Sequence, residues 1–107
     1  MRVLQLGAHG DDEILGVGGT LAKYAQEGHE VFSVIFIGKM NKELAKVIGT
    51  RYDDNVLQLR KRQSLRAAEI LGIKESRYLD FEDETLEENL LSCTIAIERL
   101  IKEIKPQ

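Results

Sequence analysis

The chain has 107 residues, a net charge of −3 at pH 7 and one cysteine, Cys93. This length allows one domain with a modest core, and a single cysteine excludes an intrachain disulfide. The acidic balance argues against a nucleic-acid partner, because no excess of basic residues exists to neutralise phosphates. No apolar stretch approaches the roughly 18 residues of a membrane span. We therefore expect a cytoplasmic protein in a reducing compartment.

The first 38 residues predict a β-α-β unit. The apolar run Val3–Leu6 ends at Gly7 and is typical of a short buried strand. Apolar residues at helical spacing then predict one helix that ends at Gly28; they are Ile14, Leu15, Leu21, Ala22 and Ala25. The β-branched run Val31–Ile37 predicts a second buried strand, parallel to the first and joined to it by a right-handed crossover.

Further helices and a third strand are predicted after residue 38. A short helix at 44–48 and a loop at 49–55 precede a long helix that stops at Gly72. The apolar side of the long helix consists of Val56, Leu59, Leu65, Ala68 and Leu71. The segment Tyr78–Phe81 then predicts a short third strand.

The last helix is predicted to follow the acidic run 82–85, whose carboxylates would complement the dipole at its N-terminus. Its apolar side consists of Leu86, Leu90, Ile97, Leu100, Ile101 and Ile104, and Cys93 among them is expected to be a buried thiol. The fold class is therefore α/β, a Rossmann-like parallel sheet flanked by helices. Pro106 stops the helix where an alternating fold would continue into a strand, so we expect residues 1–107 to form a single, C-terminally truncated domain.

The candidate site lies between the first strand and the first helix. Open parallel sheets bind ligands at the carboxyl ends of their strands. The imidazole of His9 and the carboxylate of Asp12 suit zinc, and Asp11 would then be free to act as a base. The same segment suits a plain helix N-terminus, with Asp11 as N-cap and with Asp12 and Glu13 beside the dipole. Residue types alone leave both interpretations open.

Two other features are interpreted as structural. The glycine-rich run 16–20 lacks GxGxxG spacing and indicates close packing of a helix against the sheet rather than a nucleotide site. His29 lies roughly 24 Å from His9 along the predicted helix, too far to bind the same ion. The basic residues Lys39, Lys42, Lys46, Arg60, Lys61, Arg62 and Arg66 suit a solvated helix face, or attraction of an anionic sugar nucleotide or glycolipid.

The run Ala8–Lys23 resembles the N-terminal signature of the PIG-L/LmbE family, zinc-dependent de-N-acetylases whose motif is AHPDDE before a glycine-rich helix start. The similarity continues in order through 27–31, 50–54, 67–72, 79–81 and 104–106. The resemblance implies Zn²⁺ held by His9 and Asp12, with Asp11 as general base. The implied reaction hydrolyses the N-acetyl group of a small-molecule N-acetylglucosamine-type conjugate.

The chain departs from the family pattern at several places. Gly10 replaces a proline, and glycine is expected to loosen the segment that carries His9 and Asp12. The substrate-contacting arginine is unassigned, at Arg62 or a neighbour, and Gln63 and Ser64 stand where a glutamate is usual. Family members also continue past a lysine-proline into a strand and an HxDH-like segment, which supplies a third, histidine ligand for zinc and a further histidine that assists at the transition state.

These departures keep a second function open. We expect this chain alone to be inactive or impaired as a deacetylase, and its incompletely covered sheet edge and last helix to favour homo-oligomers. The alternative is a catalytically silent fragment, or a binding or oligomerisation module, that retains the fold without a complete metal site.

Overall fold

A computed structural model describes residues 1–48 and 54–107, which form an α/β fold. One parallel three-stranded sheet has the order β1-β2-β3. The elements in chain order are β1 (Arg2–Gly7), α1 (Asp12–Leu15), α2 (Gly18–Gln26), β2 (Glu30–Lys39), α3 (Lys42–Ile48), α4 (Asp54–Leu71), β3 (Glu75–Glu82) and α5 (Leu90–Ile104). Within the described ranges, no helix is long and apolar enough to cross a membrane.

The central strand β2 is covered on both faces. All residues of β2 from 31 to 38 are buried. Val31 packs against residues of α2 and α4 on one face of the sheet, and Phe32 packs against α5 on the other. Burial on both faces is the reason that β2 is a nearly continuous apolar run, interrupted by the buried Ser33, and not an alternating one.

The three predicted strands are confirmed, and each is longer than predicted. The single helix predicted after β1 is wrong, because α1 and α2 are separated at Gly16 and Val17. Gly18, which opens α2, is buried, and a Cβ on it would lie 3.7 Å from Leu71 of α4. This distance is an ordinary van der Waals contact, so close packing does not require glycine at position 18, whereas close packing against the sheet was predicted for the glycine-rich run.

The helices on either side of the predicted loop 49–55 are confirmed with different bounds. The helix α3 covers the predicted short helix, and α4 begins at Asp54, inside the predicted loop. Residues 49–53 of that loop lie outside the described residues. The predicted apolar side of α4 is only partly buried: Ala68 is 3% exposed, whereas Leu59 and Leu65 are 47% and 40% exposed.

The prediction that the acidic run 82–85 caps the last helix is wrong. The helix α5 begins at Leu90 with Asn89 at the N-cap, and the acidic run stands at the end of β3 instead. Cys93 is buried, as predicted. The predicted apolar side of α5 is divided: Leu100 and Ile104 are buried, and Leu90 and Ile101 are exposed.

A β-bulge shapes the last part of β3. While β2 advances from residue 35 to 37, β3 advances from 78 to 81, which places one extra residue in β3. Asp80 lies at this bulge with a φ of 60°. A Cβ on Gly38 of β2 would lie 2.7 Å from the Asp80 Cα, so the bulge requires glycine at that position. Bulges next to active sites change the direction in which a side chain points.

Candidate metal and catalytic site

The carboxyl ends of all three strands are joined at one edge of the sheet. The Ile37 N–H donates to the Ala8 carbonyl at 2.9 Å, and the Asp83 N–H donates to the Lys39 carbonyl at 3.0 Å. The Asn41 side-chain amide donates to the Asp83 carbonyl at 3.1 Å. The segment after β1 that carries the predicted site residues therefore lies beside the ends of β2 and β3.

Asp12 holds this segment together through its carboxylate. Its Oδ2 accepts hydrogen bonds from the backbone N–H groups of Ala8, at 3.0 Å, and His9, at 2.8 Å. The Asp12 N–H donates to the His9 carbonyl at 3.1 Å. These bonds keep the Asp12 carboxylate next to the backbone of His9. We name residues 8–12 the ligand loop.

His9 meets a residue that the sequence analysis assigned to helix capping. Its Nε2 lies 3.0 Å from Oδ1 of Asp83, the first residue after β3. Asp83 thus joins the candidate site, and the capping interpretation is corrected. The position of Asp83 two residues after the predicted strand Tyr78–Phe81 was the signal that could have found it, because the carboxyl ends of parallel strands meet.

Asp11 occupies the N-cap position of α1, but its side chain makes no capping hydrogen bond. The residue is exposed and lines the pocket described below. The helix-terminus interpretation is therefore right about the N-cap position of Asp11. It does not explain the Asp11 carboxylate, which makes no capping hydrogen bond.

A pocket of about 530 Å³ opens beside the ligand loop. Small-molecule sites typically have volumes of about 300–1,000 Å³. His9, Asp11 and Asp83 line the pocket with polar groups, and Ile14, Ile37, Leu57 and Tyr78 are among its apolar and aromatic lining residues. The pocket has the size and the mixed lining of a site for a sugar-sized ligand.

Three of the basic residues singled out in the sequence line this pocket: Lys39, Arg60 and Lys61. The Lys61 ammonium donates to Asp80 at the bulge at 2.8 Å, and the Lys61 side chain is only 16% exposed. Arg62, the position compared with the family's arginine in the sequence, is exposed and is not among the lining residues. The basic residues of α4 that line the pocket are therefore its neighbours, Arg60 and Lys61.

The donor set suits zinc in kind but not in number. His9 and Asp12 are zinc-binding residue types, adjacent in the loop. Among residues 1–48 and 54–107, no three His, Cys, Asp or Glu side chains form a group that could hold a metal ion. Zinc sites use about three or four protein ligands. The described residues therefore hold fewer grouped donors than a zinc site uses.

Glu13 was interpreted as a partner of the helix dipole, and the structure gives it a different role. Its side chain is 0% exposed. Its Oε1 accepts a hydrogen bond from the Ser64 hydroxyl of α4 at 2.7 Å, and its Oε2 has no hydrogen-bond partner within the described part of the chain. Ser64 is one of the two residues noted in the sequence as departing from the family pattern. Its hydrogen bond to Glu13 joins α4 to α1.

His29 lies at the other edge of the sheet, just before β2. Its Nδ1 lies 2.9 Å from the Met1 amino group. Its ring meets the Tyr24 ring edge-on, with 5.6 Å between the two ring centroids. The structural role predicted for His29, in the turn before the second strand, is confirmed.

The fold and the position of the pocket define a Rossmann-like α/β protein with its candidate chemistry at the carboxyl edge of a parallel sheet. The model of one family, PIG-L or GlcNAc-PI de-N-acetylase, matches residues 4–107. The chain belongs to this family, which confirms the resemblance found in the sequence.

A curated relative from Bacillus cereus is described as a probable N-acetyl-α-D-glucosaminyl L-malate deacetylase 2. It is 34% identical to this chain over 108 residues, which cover 98% of this chain and 48% of the relative. The chain therefore spans about half the length of this relative.

Solved structures share the fold at lower identity. A deacetylase of teicoplanin biosynthesis matches with a TM-score of 0.81 and 19% identity, over 99% of this chain and 52% of that one. A 4-carboxy-2-hydroxymuconate hydratase from Pseudomonas putida matches with a TM-score of 0.71 and 24% identity, over 98% of this chain and 44% of that one. Because a hydratase shares the fold, the fold alone does not specify deacetylation.

Proposed function

We propose that this chain carries the ligand loop and the general base of a zinc-dependent deacetylase that removes the acetyl group from an N-acetylglucosamine-type conjugate. The observation that carries the proposal is the ligand loop, seated beside a sugar-sized pocket at the carboxyl edge of the sheet. Membership of a de-N-acetylase family supports the reaction type. The relative from Bacillus cereus supports an amino-sugar substrate.

In this proposal His9 and Asp12 would hold the zinc ion. When bound there, it would supply polarisation of the acetamide carbonyl and stabilisation of the negative charge that develops on its oxygen. The Asp11 carboxylate takes a proton from the attacking water, and the proton ends on the sugar nitrogen as the C–N bond breaks. The absence of a capping hydrogen bond leaves the Asp11 carboxylate available for this task.

Zinc titration of the metal-free 107-residue chain tests the ligand assignment. We expect one zinc ion per chain, with affinity strongly reduced in His9→Ala and Asp12→Ala. His29→Ala is the matched control, because it removes the other histidine at the opposite edge of the sheet and is expected to bind as the parent chain does. Equal binding by His9→Ala and the parent chain would contradict the assignment.

Asp11→Asn tests the base. We expect this variant to keep zinc and to release less acetate from N-acetylglucosamine compounds than the parent chain, whose own activity is expected to be impaired, since the amide cannot accept the proton. Loss of zinc in Asp11→Asn would mean that Asp11 is a ligand and not the base.

A second candidate function is a silent fragment or binding module that retains the fold. The observation in its favour is that the described residues contain no group of three metal donors. Two protein ligands leave a zinc site weak. A chain that is folded by circular dichroism and binds no zinc would support this second function.

A further inference from the structure

Gly10 stands in the middle of the ligand loop, where the family motif has proline. Its φ is not positive, since Gly28 and Gly72 are the positive-φ glycines of the described residues. The backbone conformation therefore does not require glycine at this position. Space does: a Cβ on Gly10 would lie 2.4 Å from the Tyr78 hydroxyl oxygen.

The clash is confined to one oxygen atom. The next atoms that a Gly10 Cβ would meet are Cζ and Cε1 of the same ring, at 3.5 Å and 3.7 Å, which are ordinary contacts. A proline Cβ would occupy the same position as any other Cβ. Proline at position 10 and the present place of the Tyr78 hydroxyl therefore exclude each other.

The Tyr78 ring is held from several sides. Tyr78 belongs to β3 and is paired with Ile35 of the central strand. The Lys61 ammonium lies 5.2 Å from its ring centroid. Burial raises the pKa of the Tyr78 hydroxyl, which the neighbouring Ser64 partly opposes. Ser64 is itself bonded to the buried Glu13, directly after the ligand loop.

We propose that Tyr78 is a positioning residue for the ligand loop. Its hydroxyl fills the space beside Gly10 and restrains the loop sterically, in place of the restraint that a proline ring imposes on φ. Glycine by itself widens the range of loop conformations, and metal ligands need to be held within about 0.5 Å of their productive geometry. The inference rests on the proposed role of the ligand loop in metal binding.

A double-mutant cycle tests the proposal with Gly10→Ala, Tyr78→Phe and the double variant. We expect Gly10→Ala to lower zinc affinity about 10-fold or more, as for other residues that orient metal ligands. Tyr78→Phe keeps the ring, removes the oxygen and is expected to lower affinity less. The double variant should bind zinc better than Gly10→Ala, because the methyl group then occupies the vacated space.

Two further measurements separate this proposal from the metal assignment. Side-chain ¹⁵N spectra resolve the chain's two histidines, and we expect Gly10→Ala and Tyr78→Phe to shift the His9 signals while those of His29 stay in place. Urea unfolding of the metal-free variants measures the free energy of unfolding. Gly10→Ala should lower it in the parent chain and should leave it nearly unchanged in a chain that already carries Tyr78→Phe. Tyr24→Phe is the control for the spectra, because Tyr24 contacts the ring of His29 and its change should leave the His9 signals in place. Gly19→Ala is the control for unfolding, because a Cβ there meets nothing within 4 Å and should do no harm.

The outcomes are distinct. If the parent chain binds no zinc, the metal assignment fails, and the histidine spectra still decide whether Tyr78 positions the loop. Unchanged His9 signals in both single variants would overturn the proposal. Equal effects of Gly10→Ala with and without the Tyr78 hydroxyl would overturn it as well, because they would show that the two residues are not coupled.

Discussion

Glu13 illustrates how much the surroundings of one residue can change its meaning. In the sequence it stands in an acidic run before a helix, where a carboxylate exposed near the dipole is the usual interpretation. In the structure it is completely buried and shares a hydrogen bond with Ser64. A buried carboxylate is costly unless it is hydrogen-bonded, so the Ser64 hydroxyl is the main compensation among the described contacts.

Ser64→Ala should therefore destabilise the chain by about 1–3 kcal/mol, because it leaves a buried acceptor without its donor. Urea unfolding followed by circular dichroism measures this loss. Ser92→Ala is the matched control, since Ser92 is exposed on α5. Equal stabilities of the two variants would show that the Glu13–Ser64 hydrogen bond contributes nothing.

At the scale of elements, one crowded glycine in β2 and one glycine in open space in α2 test the packing of these two elements. A Cβ on Gly38 would meet Asp80 in the β3 bulge, its Cα at 2.7 Å, whereas a Cβ on Gly19 in α2 would meet nothing within 4 Å. Gly38→Ala should destabilise by about 1–3 kcal/mol, as overpacking does. Gly19→Ala should stabilise by about 0.5–1 kcal/mol, since alanine loses less entropy in a helix. Thermal unfolding of both variants checks the opposite signs.

The strand β3 and the helix α5 are joined by Arg77, which pairs with Glu75 and with Glu103. Hydrogen bonding from Arg77, and then its charge, lowers the pKa of Glu103 from its ordinary value of 4.5. A carboxyl whose pKa is lowered on folding contributes stability above its unfolded pKa, and this contribution is lost as the pH falls through the folded pKa.

Glu103→Gln should therefore be less stable than the parent chain at pH 7, and the difference should shrink below about pH 4. Melting temperatures at pH 7, 5 and 3 measure it. Glu87→Gln is the control, because Glu87 is exposed and forms no ion pair within the described residues. A difference that stays constant with pH would contradict the assigned pairing.

At the scale of the whole molecule, the exposed apolar side of α5 is the feature that bears on assembly. The exposed fractions are 63% for Leu90, 75% for Leu91, 40% for Ile95 and 48% for Ile101. Large exposed apolar patches mark interaction sites in proteins. We propose that it lies between two copies of the chain, in line with the homo-oligomer expected from the sequence.

Leu91→Glu should then shift the chain towards monomer in light scattering at high concentration, because a charge is costly in an apolar interface. Val47→Glu is the control, an 82% exposed apolar residue on α3 instead of α5. A parent chain that is monomeric at the highest concentration tested would contradict the proposal.

The sequence by itself determined the three strands, the helices between and after them apart from the division of the first into α1 and α2, the parallel β1–β2 pair and the family. Each of these rests on local signals: an apolar run such as Val31–Ile37, a stop such as Gly72, or a contiguous motif such as residues 8–13. These signals are legible without knowing what each residue will touch.

Only the tertiary structure decided that Asp83 meets His9, that Glu13 is buried against Ser64 and that Tyr78 fills the space beside Gly10. These pairs are separated by 74, 51 and 68 positions along the chain, respectively. They meet because three parallel strands bring their carboxyl ends to one edge and because a hydrogen bond joins α1 to α4. Such contacts depend on the bulge in β3 and on side-chain packing between residues far apart in the chain, which local patterns of apolar and polar residues do not specify.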